Sequence, residues 1–507
     1  MRADVRGDAS VANVEAQREF AAWWVVRARE EFPDIWSVDD ELSQIACEPR
    51  LLLHDLPLPR LLALIYESRA DLRAAFPLPP RRNVASLARW YQKFAHREYS
   101  YAPPLPDWFL AEHLPSGAGS KPRGPMPEQR VIRRPPGRFE PRGVNLIGYP
   151  RAEFGIGEDV RMVSSALEEV GVPHIIFDVR DGCSARQKDV SREGKISEVL
   201  PYEINIVCVS AFDAARLWLR QERRLFAGHY NIGYWPWELE RFPIEWADAL
   251  DLVDEIWGAS SFTTATYASL AGDRVKLMPP SVAVTAVAET GTRDDEIYRF
   301  LCPFDPNSAM ERKNPAAAAR AFVEAFPAEI SDVRLVFAVN GALPEHRQTQ
   351  VLRDASRADA RIEIREGTLE RSDYHRLIAQ SNCLVSPHRA EGFGRNIAEA
   401  KALGVAVIAT GYSGSNDFLD ARERVSWSPI SVGAADYPYS VGAPWADVQI
   451  DDLAEKMRAF YDARISTPIA PLSDDYSVAA AGRRYKARLD DIAAGRADVS
   501  SNVVSLG

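Results

Sequence analysis

Hydrophobic positions along the chain repeat at two different periods, and the change between them divides it. Over the first hundred residues the repeat is helical. Ala21 to Glu31 and Leu51 to Ala70 space apolar residues three and four apart, and strand signals are scarce. From Gly143 onward, short β-branched runs alternate with amphipathic stretches. GVNLIGY (143–149), HIIFDV (174–179), INIVCVS (204–210), HYNIGYW (229–235), DEIWGAS (254–260) and VKLMPP (275–280) read as strands, and VRMVSSALEEVG (160–171) as a helix. A weak break over 283–296 precedes a second series. It comprises RFLCPFD (299–305), a helix over 315–326, and strands VRLVFAVNG (333–341), RIEIREG (361–367), NCLVSPH (382–388) and VAVIATG (405–411). Strands alternating with helices imply parallel sheets covered on both faces, hence an α/β chain with two consecutive doubly wound units. Between the helical start and the first of these strands, residues 102–141 hold ten prolines and the sequence SGAGS, which fits a linker. The end, DVSSNVVSLG, reads as a frayed tail. The predicted division is a helical module (1–105), a Pro-rich basic linker (106–142), two Rossmann-like domains (143–285 and 295–465), and a C-terminal helix and tail (466–507).

Composition narrows the function more than the fold. The 507 residues carry 61 Lys+Arg against 72 Asp+Glu, a net charge of −11, a poor footprint for a nucleic-acid binder. No apolar run approaches the ~18 residues needed to span a bilayer, and the first residues lack a signal-peptide core. Five scattered cysteines without a CxxC pair, and eight histidines without ligand spacing, give neither a disulfide framework nor a metal module. The expectation is a cytoplasmic protein without a built-in metal or cofactor. One local exception to the acidity is Lys121 to Arg142, with seven basic residues against two acidic. It fits a solvated linker and is also compatible with anionic lipid headgroups, a peripheral membrane contact.

Ligands of open parallel sheets bind outside the carboxyl ends of the strands, and the conspicuous motifs fall there. EGFGRNIAE (391–399) follows NCLVSPH and opens a helix. Gly392 and Gly394 would let the backbone approach a ligand, the new helix would offer its N–H groups to an anion, and Glu391 and Glu399 could accept from sugar hydroxyls. By itself, a solvent-facing Glu pair on an ordinary strand–turn–helix explains the motif equally well. MERKNP (310–315) follows RFLCPFD and places Arg312 and Lys313 at a strand end, a fork and a point charge for phosphate. EFGIGEDVR (153–161) follows GVNLIGY. Gly155 and Gly157 resemble half a dinucleotide fingerprint with Asp178 as its acidic residue, but Val160 stands where the third glycine belongs. A glycine loop facing phosphate or sugar fits as well, as does a plain turn. Finally, four tryptophans lie within 23 residues. Trp246 and Trp257 read as core; Trp235, Trp237 and Glu238 follow a strand and are candidate sugar or acceptor contacts.

Taken together, NIGYWPWELERFPIEW, DEIWGASSFT, ERKNP, HRAEGFGRNIAEAKALG and VIATGYSGSNDF resemble one bacterial branch of the family 4 retaining glycosyltransferases, over about residues 143–465. EGFGRNIAE has that family's E-x7-E form. The resemblance implies a GT-B fold: two Rossmann-like domains facing a cleft, the first on the acceptor side and the second holding the donor. It implies a nucleotide-diphosphate sugar donor, with GDP-mannose ranked first ahead of UDP- and dTDP-sugars. A glycan or lipid-linked glycan would be the acceptor, in cell-surface polysaccharide synthesis. No divalent metal would be needed. Arg312 and Lys313 would stabilise the departing diphosphate, and Glu391 would hold donor sugar hydroxyls. Gly392, Phe393, Gly394 and Arg395 would supply backbone contacts, Glu399 would hold the ribose, and Gly155 and Gly157 would line the donor site from the first domain. The sequence departs from the family in two places. The family's usual His at the end of HYNIGYW is absent, His229 lying at that strand's start, and Arg395 replaces a more usual apolar residue. Two alternatives stand beside this reading: a catalytically silent sugar-nucleotide-binding or scaffold protein, and an NAD-dependent enzyme.

Overall fold

In a computed structural model, the described residues are 45–52, 56–77, 81–95, 103–113, 139–180, 183, 185–218, 223–284, 296–433, 436–440 and 442–504. The helix expected over Ala21 to Glu31 and the basic tract from Lys121 up to residue 138 lie outside them. The chain divides into two compact units, one of Met1–Arg133 with Arg180–Ser184 and Ala215–Ala227, the other holding the remainder.

In the first unit the stretch expected to be helical from Leu51 begins instead as a hairpin, β1 (Pro49–Leu52) against β2 (Leu56–Pro59). Its second strand reads LPLP, and a residue preceding proline is driven out of the α region into extended backbone. Helices Arg60–Ser68 and Arg81–Trp90 follow, and Leu61, Leu62, Ile65, Val84 and Leu87 form their core. The start of the predicted linker is helical. Asp107–His113 is a helix that follows Pro106, free of proline, and Phe109 is fully buried in this same core.

The second unit contains two six-stranded parallel sheets, so the α/β class with two Rossmann-like domains is what the topology shows. The first sheet is built from β3 (Glu140–Gly148), β4 (His174–Asp178), β5 (Tyr202–Cys208), β6 (Tyr230–Gly233), β7 (Glu255–Gly258) and β8 (Val275–Leu277), in the order β4-β3-β5-β6-β7-β8. The second is built from β9 (Tyr298–Phe304), β10 (Val333–Val339), β11 (Ile362–Glu366), β12 (Cys383–Ser386), β13 (Ala406–Thr410) and β14 (Arg424–Val425), in the order β11-β10-β9-β12-β13-β14. That is the Rossmann strand order. Its direction reverses between β9 and β12, as the first sheet's does between β3 and β5, and such switch points are where ligands bind. Past β14 come an antiparallel hairpin, β15 (Trp427–Ser431) and β16 (Pro444–Val448), and the helix Ile450–Asp462.

The two sheets are fastened differently. Across the first runs a buried ladder: Asn145 Nδ2 donates to Asn205 Oδ1 at 2.9 Å, and Asn205 Nδ2 to Asn231 Oδ1 at 2.9 Å. These asparagines are register partners on β3, β5 and β6, so a one-residue slip would break every rung. The second sheet is apolar on both faces, with Phe300, Leu335, Phe337 and Ile408 on one side and Leu301, Val336 and Val407 on the other.

The C-terminal tail expected to fray is helical to Val504, in one helix Val478–Val504. Ala481, Tyr485, Leu489 and Ile492 make a stripe at helical spacing that joins the core of the first Rossmann-like domain. Gly482 lets the helix touch its neighbour, since a Cβ there would lie 2.3 Å from Ala166 O. Arg488 pairs with the buried Glu255 of β7. The last helix therefore completes the first domain and is not an appendage of the second. No helix among the described residues is long and apolar enough to cross a membrane.

Candidate active site

The chain past β9 turns through the short helix Met310–Lys313, and its presentation of two cations is over-determined. Ala309 and Asn314 bracket it at φ 67° and 50°, conformations that residues with a Cβ seldom adopt. What holds it is Glu311, whose carboxylate accepts from Arg347 (2.6 Å), Gln348 (2.9 Å) and Arg389 (2.7 Å). Burial would raise the Glu311 carboxyl, but these donors outweigh it and bring it down to about 2. Arg389 N also donates to Arg312 O at 2.7 Å.

The structure brings Arg312, Lys313 and Glu391 into one cluster, 78 residues apart in sequence. Lys313 Nζ donates to Glu391 Oε1, and Arg312 Nη1 lies 3.2 Å from Glu391 Oε2. Arg312 is 3% exposed. Its Nε donates to Ser308 O at 3.1 Å and its Nη1 to Ala390 O at 2.9 Å, which fixes the guanidinium. Burial disfavours the Arg312 charge, yet Glu391 and Glu238 overcome this and push the pKa up. Burial also lowers Lys313, against the attraction of Glu391. The Glu391 carboxyl is held down to about 2: burial opposes ionisation, and Lys313 and Arg312 outweigh it. Nearby, burial pushes His388 down to about 4, so this fully buried ring is a neutral support for the strand end, packed on Ser386, Ser415 and Tyr412 O.

Beyond Glu391 the chain enters the helix Arg395–Ala402 through Gly394 at φ 88°. Gly392 packs so closely on the first domain that a Cβ would sit 2.5 Å from Trp237 O, and its carbonyl accepts from Ser260 Oγ at 2.6 Å. Among the described residues no protein acceptor meets the backbone N–H groups of Gly392, Phe393, Gly394 or Arg395. All four residues line the cavity, so the helix N-terminus presents unmet donors to it. Glu399 lies one turn further in, also on the cavity wall. It is 2% exposed and accepts from Arg371 at 3.1 Å. Its carboxyl is lowered by His375 and Arg371 against the opposing effect of burial. Phe393 packs on Val282 and Tyr476.

The cavity measures about 1610 Å³ and is walled by both Rossmann-like domains. On the first domain's side several expected residues are not where the motifs placed them. Gly155 opens the helix Gly155–Glu169 and faces open space within the cavity wall. Gly157 does not: its Cα face abuts Ala152 O, which a Cβ would approach to 2.1 Å, so it serves helix–loop packing. Asp178 is engaged by Arg151, which removes the acidic anchor of a dinucleotide fingerprint. Trp235 and Trp237 line the cavity as expected, but at 2% and 3% exposure their rings offer it little surface. Gly233 leaves room for the Trp235 ring, and Trp237 is enclosed by Phe242, Trp246 and Tyr437. Trp246, expected in the core, is only half-buried and lines the cavity; Trp257 is core, as expected. Glu238 does face the cavity, 3.7 Å from Arg312 Nη2, and accepts from the Tyr437 hydroxyl. Arg395 lines the cavity and pairs with Asp159 of the first domain. His229 sits at the start of β6 and bonds Tyr202 O.

Other cavity groups carried no sequence signal. Arg371 bridges the domains, 2.9 Å from Glu158 and 3.1 Å from Glu399. Arg186 of the first domain reaches Glu370 at 3.0 Å, and Tyr437 comes from the long loop between β15 and β16. Nothing in periodicity or composition marks residues whose partners come from another domain. Among the described residues no group of three or more His, Cys, Asp or Glu could hold a metal ion.

Residues 308–429, which contain the Arg312–Lys313–Glu391 cluster and Glu399, match the family model described as glycosyl transferases group 1. No curated protein matches the chain. Among solved structures, a sucrose-phosphate synthase from Thermosynechococcus elongatus is 13% identical, covering 72% of this chain and 100% of that one, at a TM-score of 0.45. A trehalose-6-phosphate synthase is 8% identical over 69% of this chain and 99% of its own, at 0.47. An Anabaena protein in complex with UDP and glucose is 12% identical over 71% and 100%, at 0.41.

Proposed function

We propose that this chain is a retaining glycosyltransferase that moves a hexosyl group from a nucleotide-diphosphate sugar to a glycan or lipid-linked glycan. The observation that carries the reading is the second sheet's switch point. There two fixed cations, a carboxylate between them and a row of unmet N–H groups converge on one cavity. Fold alone assigns no chemistry; this constellation is what supports the reading. Arg312 and Lys313 would take up the charge that develops on the departing diphosphate, in the role a divalent metal plays elsewhere, aided by the N–H groups from Gly392 to Arg395. Glu391, ionised throughout the physiological range, would accept from donor sugar hydroxyls. Glu399 would accept from the ribose, and Gly155 would let the donor lie against the first domain. The diphosphate would leave from the face that the acceptor hydroxyl attacks, through an oxocarbenium-like state, and would itself take the acceptor's proton. GDP-mannose is the first donor to try, then UDP- and dTDP-sugars.

The test is to incubate the protein with a panel of nucleotide sugars and follow slow release of the nucleoside diphosphate. Release from one donor is the expected result. Tight binding without release would point to the silent sugar-nucleotide binder, and binding of NAD alone would refute the transferase.

A further inference from the structure

We propose that Tyr437 is a positioning residue for the anion site, acting through Glu238: its hydroxyl draws the Glu238 carboxylate off Arg312 and leaves one arm of the guanidinium open to phosphate. The inference rests on the phosphate-binding part of the reading above. Two of the three guanidinium nitrogens are committed, Nε to Ser308 O and Nη1 to Ala390 O and Glu391. Among the described residues Nη2 meets only Glu238 Oε1, at 3.7 Å, an ionic contact too long for a hydrogen bond. The other Glu238 oxygen accepts from the Tyr437 hydroxyl.

Glu238 lies past β6 of the first domain, whereas Arg312 and Tyr437 belong to the second, so the carboxylate is shared between two groups of the facing domain. Tyr437 is itself well placed to compete. Its ring packs 5.8 Å from that of Trp237 and 5.9 Å from the Arg312 guanidinium. Its neighbour Asp436 accepts from Gly433 N at 3.0 Å and pairs with Arg347 at 3.3 Å, the same arginine that holds Glu311. The tip of this loop is thus tied to the segment that presents Arg312. Without the phenol donor, Glu238 needs to move less than an ångström to make a charge-assisted hydrogen bond with Nη2. The anion site would then lose a donor and gain a competing negative charge.

Inorganic pyrophosphate is the probe, titrated calorimetrically into wild type, Tyr437→Phe, Glu238→Gln and the double variant. The phenyl ring of Tyr437→Phe keeps the packing, and thermal melts verify that each variant is folded. Tyr437→Phe is expected to weaken pyrophosphate binding about tenfold, the worth of one hydrogen bond to a charged group. In the Glu238→Gln background the same change should cost less than about twofold, because no carboxylate remains to be released. A purely structural role for Tyr437 would give equal losses in both backgrounds, and that result, or wild-type affinity in Tyr437→Phe, overturns the proposal. No binding by the wild type overturns it as well. If the pattern appears but no nucleotide sugar is turned over, the proposed function fails and the positioning role stands.

Discussion

The two Rossmann-like domains wall one cavity, but they hold their groups in different ways. The second domain fixes its cations and carboxylates from within. Arg312 is bonded to backbone of its own domain, Lys313 to Glu391, and Glu311 to three donors of its own domain. The first domain offers carboxylates that reach partners across the cleft: Glu238 to Arg312 and Tyr437, Asp159 to Arg395, and Glu158, which Arg161 of its own helix also holds, to Arg371. One side is a preorganised anion site, and the other depends in part on contacts across the cleft. That difference orders the expected effects of mutation: large and local in the second domain, smaller and dependent on closure between the two.

The sharpest test of a self-held second domain is its buried ion pair. Lys401 and Glu423 have side chains wholly removed from solvent, and Lys401 also donates to Phe418 O at 2.8 Å. Glu423 accepts from Asp420 N at 2.9 Å and Ile469 N at 3.0 Å. Lys401→Met strands a carboxylate in the interior and should cost about 3–5 kcal/mol in urea unfolding. A cost below about 1 kcal/mol would show that the helix carrying Glu399 is not held from within. Next is the site itself. Arg312→Ala should lower nucleotide-sugar turnover ~10²-fold or more, the usual loss on removing one preorganised charge-stabilising donor. Arg312→Lys should recover little of it, because an ammonium cannot make the same fork. Activity within a few-fold of wild type would dissolve the leaving-group assignment.

The same contrast explains what could be read from sequence. All strands of the two sheets but the two-residue β14 (Arg424–Val425) were legible to within a few residues, because apolar runs bounded by turns are local signals. NCLVSPH contains β12 (Cys383–Ser386), and VRLVFAVNG contains β10 (Val333–Val339). Arg312, Lys313 and Glu391 were legible because each follows a strand, and the parallel topology turns that adjacency into spatial proximity. Arg371, Asp159 and Tyr437 were not, since their roles exist only once two domains meet. Trp235 and Trp237 show how far such a signal reaches: being past a strand end places both on the cavity wall but does not say how much of each ring is shown, and packing on Gly233 and Phe242 leaves little. The C-terminal helix was legible, but not the surface it packs on. The stripe Ala481–Tyr485–Leu489–Ile492 needs a distant surface to bury it, and that surface belongs to the first domain.

Between the domains, Asp159 offers a pH-dependent measure of docking. Burial lifts its carboxyl from 3.8 to about 6, more than the opposing Arg395 can reverse, and Glu158 adds to the rise. Arg161 is the other cation acting on it. A raised carboxyl favours the folded state at low pH. Below about 4 both folded and unfolded chains are protonated there; from about 4 to about 6 only the unfolded chain has released the proton; above about 6 both have. The stability of wild type relative to Asp159→Asn should therefore fall as pH rises through that window, by at most about 1.4 kcal/mol per pH unit, and then level off. Chemical denaturation of both proteins at several pH values measures it. A flat difference would mean that Asp159 is not enclosed by the second domain in solution.

The smallest effect is expected at the rim, where the docking contact is least enclosed. Arg186 reaches Glu370 at 3.0 Å, but the Glu370 side chain is 68% exposed and the Arg186 side chain 31%. Arg186 also retains Glu153 of its own domain, so losing Glu370 leaves no unpaired buried charge. Glu370→Gln should shift unfolding by less than about 0.5 kcal/mol, with any difference disappearing in moderate salt. The donor KM should stay within about twofold of wild type. The informative comparison is with Arg395→Ala, which uncovers the enclosed Asp159 and should raise that KM several-fold more. If Glu370→Gln proved the more damaging of the two, closure would be governed from the exposed rim, and the ranking of interdomain contacts by burial would have to be abandoned.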